Sequence, residues 1–157
     1  MERQHHEQAP RDPLSLLRSV ESTPPGDLDW ALHCTRQQAM ILNLLLGGRE
    51  AMSLARLSAI TEIQIGLVED MPIPGTAFPA ADGWHIHIHA ALPSEQQLRT
   101  ALHELKHVID HPVRTRADGP CLSPVEYEHL ADAFAELMLG DDRLQSDNNF
   151  TERRDYL

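Results

Sequence analysis

His103-Glu104-Leu105-Lys106-His107-Val108-Ile109-Asp110-His111 carries the pattern H-E-x-x-H inside an apolar repeat, and reading it as a helix decides the fold. Residues four apart on a helix lie one turn apart on one face, so the imidazoles of His103 and His107 can reach one Zn²⁺. Glu104 stands beside the first of them, where it can take a proton from a water held at the metal. Leu98, Ala101, Leu102, Leu105, Val108 and Ile109 recur at helical spacing as a single stripe. At about 100° per residue the two histidines fall opposite the centre of that stripe. The helix therefore buries one side and presents two ligands and a carboxylate on the other. Upstream, Pro93-Ser94-Glu95-Gln96-Gln97 reads as its start, with Ser94 as N-cap and Gln97 completing a capping box. Pro112 reads as its stop.

A zinc site needs at least a third protein ligand, and a second helix downstream can supply it. Ser123-Pro124-Val125-Glu126 is a strong helix start: Ser as N-cap, Pro at the first helical position, Glu at the third. Tyr127, Leu130, Ala131, Phe134, Leu137 and Met138 form its apolar stripe, and Gly140 its end. Glu128 lies at the edge of the stripe, suited to reach a neighbouring helix. Asp132, one turn on, suits an acceptor behind a ligand histidine. Glu126, His129 and Asp132 are the alternative third ligands.

With both segments in view, the chain resembles the ImmA/IrrE family of metallopeptidases. His103 to His111 read HELKHVIDH and Glu128 to Leu139 read EHLADAFAELML, matching an H-E-L-x-H helix followed by E-x-x-A-[ND]-x-F-A-x-x-L-[LM]. The extended stretch Trp84-His85-Ile86-His87-Ile88-His89, leading through Leu92-Pro93 into the zinc helix, fits as well. The resemblance covers about residues 55 to 140, and Leu139-Gly140-Asp141 departs from it where Met-Pro is common. It implies a small mixed α/β zincin in which His103, His107 and Glu128 bind Zn²⁺ and Glu104 is the general base. It also implies a protein substrate, since members cleave helix-turn-helix repressors and so switch on mobile-element or stress-response genes.

The remaining segments are arranged simply. Residues 1–26 read as a flexible N-terminal segment and linker, with a short helix from Leu14 to Val20 and a turn at Ser22-Thr23-Pro24-Pro25-Gly26. Asp27 caps a helix from Leu28 to Leu46, closed by Gly47-Gly48, and a shorter helix follows around Glu50 to Leu57. Ile60 to Val68 alternates like a strand, broken by Met71-Pro72-Ile73-Pro74-Gly75. Ala77-Phe78 and Trp84 to Ala90 form a hairpin about Ala81-Asp82-Gly83. Residues 141–157 read as a charged tail. The expected architecture is α+β: one zincin-like domain over 27–140, a small sheet packed against the active-site helix and two or more further helices.

Composition sets limits. A chain of 157 residues suits one domain with a useful core. A net charge of −11 argues against non-specific nucleic-acid binding, which needs Lys and Arg at phosphates, and favours a basic protein partner. Cys34 and Cys121 lack C-x-x-C spacing and fit a reducing compartment. No apolar leader or membrane-length run is present, so the expectation is a cytoplasmic protein.

His85, His87 and His89 alternate along the expected strand and share one face, with Trp84, Ile86, Ile88 and Ala90 on the other. Same-face neighbours on a strand are about 7 Å apart, too wide for a compact metal site, so the triplet reads as a polar sheet face or an edge facing substrate. His111 continues the His103/His107 row, either at the helix C-terminus or against substrate. Tyr127, Tyr156 and His111 are the candidates to stabilise an oxyanion. Two other classes share these motifs: a zincin fold that sequesters a repressor without cutting it, and a structural zinc site closed by His129 or Cys121.

Overall fold

The computed structural model describes residues 12–21, 27–118 and 122–140. Helix α1 (Pro13–Ser19) starts behind Asp12, whose carboxylate accepts from the Ser15 N–H. Helix α2 (Leu28–Leu46) is capped by Asp27, which accepts from the Trp30 N–H, and ends where Gly47 turns left-handed at φ 83°. A 3₁₀ turn (Arg49–Ala51) and helix α3 (Leu54–Thr61) follow, then strands β1 (Gln64–Val68), β2 (Gly75–Ala80) and β3 (Gly83–His89). Helices α4 (Ser94–Arg114) and α5 (Pro124–Leu139) complete the order. The fold is α+β, with five helices and a mixed sheet of order β1-β3-β2. β3 runs parallel to β1 and antiparallel to β2, Ala80 pairing with Gly83 across the hairpin turn.

Helix α4 lies between the sheet and α5, with α2 packed on α5 from the far side. Its stripe supplies Ala101, Leu102, Leu105, Val108 and Ile109, which meet Ile86 and Ile88 of β3 and Phe134 and Met138 of α5 in one core. Each large side chain buried there is worth about 1.5–3 kcal/mol, so rotating α4 would expose several at once. A polar clamp fixes the same rotation. Lys106 is fully buried. Its Nζ donates to Asp110 Oδ1 at 2.6 Å, Gln38 Oε1 at 2.8 Å and Glu21 Oε1 at 3.2 Å, one acceptor for each ammonium proton.

Several elements differ from the sequence expectation. Helix α3 runs to Thr61 and stops where Glu62 turns left-handed at φ 60°, so the strand starts at Gln64 and Ile60 belongs to the helix. Ser53, accepting from the Arg56 N–H, starts α3 later than expected. Pro93, not Ser94, takes the N-cap place of α4, and no capping box forms because Gln97 donates to the carbonyls of Ala90 and Leu92. Pro112 does not stop α4, which continues to Arg114. Proline has no N–H for the Val108 carbonyl four residues back, and the Arg18 guanidinium takes that oxygen at 2.6 Å. Arg18 sits on α1, and Leu17 beside it is fully buried in the same core. Residues 1–11 and 22–26, and the expected tail 141–157, lie outside the described residues.

Candidate metal centre

Helix α4 sets His103 and His107 one turn apart on its face away from the core, and α5 brings Glu128 to the same point. The Ser123 capping box and Pro124 fix where α5 begins, and its buried stripe of Tyr127, Leu130, Ala131 and Phe134 fixes its rotation. Glu128 Oε1 lies 2.9 Å from His107 Nε2, Glu128 Oε2 3.0 Å from His103 Nε2, and the two Nε2 atoms 3.2 Å apart. Ligand atoms about 2.1 Å from a tetrahedral ion are separated by about 3.4 Å, so these three fit one cation after a small adjustment. Among the described residues this is the group of donors able to hold a metal.

The proton arrangement points the same way. His103 Nδ1 lies 2.8 Å from Asp132 Oδ1, so it carries the ring proton and donates it. That leaves the Nε2 lone pair facing the Glu128 carboxylate, two acceptors in contact unless a proton or cation stands between them. His107 is half-buried, and burial, helped by the charges of His103 and Arg114, lowers its pKa to about 4 against the opposing pull of Glu128. A neutral imidazole is the form that binds metal.

Glu104 projects into the same cleft. Burial, reinforced by Glu128, raises its carboxyl above the ordinary value while His103 and Arg114 oppose the rise. No hydrogen bond engages its carboxylate among the described residues. Gly75 explains how close the sheet comes: a Cβ there would lie 2.5 Å from Thr100 Cγ2 and 3.3 Å from Glu104 Cγ. Only glycine lets β2 lie directly on the turn of α4 that carries Glu104.

The cleft is roofed by Gly75, Thr76, Ala77 and Pro79 of β2 and by Trp84, and floored by His103, Glu104, His107, His111, Arg114 and Glu128. Of the other third-ligand candidates, Glu126 turns back to accept from the Ser123 N–H, and Asp132 is engaged with His103. His129 is exposed and stands outside the cluster. Cys121 and Tyr156 lie outside the described residues; Cys34 is buried, its thiol directed at the Val20 carbonyl. Tyr127 is buried beneath the Arg114 guanidinium, 5.3 Å from ring centre to Cζ. His111 packs edge-on against Trp84, with ring centroids 4.9 Å apart, and borders the cleft.

The triplet His85, His87 and His89 sits on β3, the central strand, with both edges paired. His85 and His87 face away from the cleft and pack around Phe78, and His85 bonds Asp82 at 2.7 Å. The edge strand that borders the cleft is β2, whose second edge pairs with no strand among the described residues. Sequence reading also missed Arg114. It stands seven residues after His107, two turns along the same face, and taking Pro112 as a stop hid that spacing.

A family model described as Peptidase_M78, IrrE N-terminal-like domain, matches residues 62–155. No curated protein and no solved structure matches the chain. The matched span holds the sheet, the H-E-x-x-H helix and the helix of Glu128, that is, every residue of the cluster.

Proposed function

The chain belongs to the IrrE N-terminal-like domain family of peptidases, and from that premise we propose that it is a zinc-dependent endopeptidase whose substrate is a helix-turn-helix transcriptional repressor. The observation that carries the reading is the convergence of His103, His107 and Glu128 on one point, with the unengaged carboxylate of Glu104 beside it. His103, His107 and Glu128 would hold Zn²⁺, which supplies a Lewis acid and a water of near-neutral pKa. Asp132 keeps His103 in the tautomer whose Nε2 faces the site. Glu104 takes the proton of the attacking water and returns it to the departing amine. The unpaired edge of β2 offers N–H and C=O groups to an extended peptide lying across the cleft. The chain's acidity favours a basic partner such as a DNA-binding repressor, and a cytoplasmic location goes with that substrate.

A candidate repressor incubated with wild type and with Glu104→Gln tests this reading. Wild type cuts it; the variant binds zinc and leaves it intact. Cleavage by Glu104→Gln at the wild-type rate removes Glu104 from the mechanism. Repressor released from its operator without cleavage, by both proteins, makes the activity one of binding.

A further inference from the structure

We propose that Arg114 is displaced from His107 by the metal and then becomes the donor to the oxygen of the scissile carbonyl. The inference rests on the metallopeptidase reading and adds to it a residue that the motifs do not contain.

The argument begins with proton bookkeeping at His107. Arg114 NH1 lies 3.0 Å from His107 Nδ1. A guanidinium has only donors, so Nδ1 must accept and the ring proton must sit on Nε2. That tautomer is consistent with the other side of the ring, where Nε2 lies 2.9 Å from Glu128 Oε1. A metal on Nε2 requires the opposite tautomer, with the proton on Nδ1. Nδ1–H cannot face a guanidinium N–H, so the two states of His107 exclude each other and the metal releases Arg114.

Its destination is restricted. Arg114 is the last residue of α4, its guanidinium lies over the ring of Tyr127, and its side chain lines the cleft. The cleft beside it contains Glu104, His111 and the Glu128 end of the metal site. The oxygen of a peptide carbonyl under attack gains negative charge there. A guanidinium, a cation with several N–H groups, is well suited to receive it. The other candidates are less available: Tyr127 is buried under the guanidinium, and His111 is packed on Trp84. One competing destination is Glu104, and pairing there would quench the base.

The test compares wild type, Arg114→Met and Arg114→Lys, first checked for the same thermal midpoint without metal. Three readouts are taken: zinc affinity against a chromophoric chelator, the His107 ring ¹⁵N shifts, and inorganic phosphate binding to the cobalt-loaded proteins as a tetrahedral oxyanion probe. In metal-free wild type, His107 carries its proton on Nε2, and zinc moves it to Nδ1. Arg114→Met binds zinc about tenfold more tightly, the size of one lost charge-assisted hydrogen bond. It binds phosphate about tenfold more weakly, with Arg114→Lys in between because the planar fork is gone. These opposite signs distinguish the role from a structural one, which would weaken both. Unchanged or weaker zinc binding by Arg114→Met overturns the displacement. Unchanged phosphate affinity of Arg114→Met overturns the donor role. Failure of wild type to bind zinc or cobalt at all is a different result: it refutes the metal centre itself.

Discussion

Asp132 decides which nitrogen of His103 faces the metal position. With Nδ1–H given to Asp132 at 2.8 Å, Nε2 keeps its lone pair directed into the cluster, and the ring cannot flip without losing that bond. Replacing Asp132 with Asn keeps the shape but removes the charge that raises ligand basicity. Zinc affinity is expected to fall by about 10–100-fold, with the fold intact, in a chelator competition. An Asp132→Asn protein that binds zinc as wild type does would show that His103 needs no orienting partner. Glu104 has the opposite surroundings: it is left without a hydrogen bond and partly desolvated, which suits the general-base role proposed for it.

Helix α4 carries most of the site, and its buried side contains a polar clamp that gives a pH-dependent prediction. Asp110 and Glu21 share one ammonium, that of Lys106. Burial pushes the Asp110 carboxyl up to about 7 against the pull of Lys106, with the Glu21 charge adding to the rise. A folded-state pKa above the unfolded value means that the native protein binds the extra proton. That contribution is fully present below the ordinary carboxyl pKa of 3.8 and is lost as pH rises through about 7. Wild type should therefore lose thermal stability relative to Asp110→Asn between about pH 4 and 7, in melts at constant ionic strength. Parallel curves for the two proteins across that window would contradict the raised pKa. Element by element, the sequence was most readable where local chemistry decides the outcome. Asp27 and Ser123 capped their helices and Gly47 and Gly140 ended them, because each acts through a bond to its own neighbours. Reading failed at Pro112 and at Ile60. The Val108 carbonyl freed by Pro112 is satisfied by Arg18 from a helix 90 residues away, which no local pattern reveals. Ile60 shows apolar spacing compatible with helix or strand, and the left-handed turn at Glu62 settles it.

At the scale of the whole molecule, the core and the candidate centre are separate. Ile86, Ile88, Leu102, Leu105 and Phe134 pack on the buried side of α4, while His103, His107 and Glu128 occupy its open side. Chelation should thus leave far-UV circular dichroism unchanged, and added zinc should raise the thermal midpoint only through binding linkage. Unfolding on chelation would mean that the metal holds the fold together, as a structural zinc does. No helix among the described residues is long and apolar enough to cross a membrane. The pair of histidines and Glu104 could be read from five consecutive residues, since one helical turn brings them together. Glu128 could be placed only at the edge of a stripe, because the crossing of α4 and α5 is a tertiary fact. Arg114 was invisible until α4 was known to pass Pro112.

Zinc content per chain of tag-free wild type, His107→Ala and Glu128→Ala tests the central claim most directly. The account predicts about one zinc per wild-type chain and its loss, or a weakening of at least about tenfold, in both variants. A wild type that takes up no zinc after reconstitution, or a Glu128→Ala protein that holds it as tightly as wild type, would contradict it.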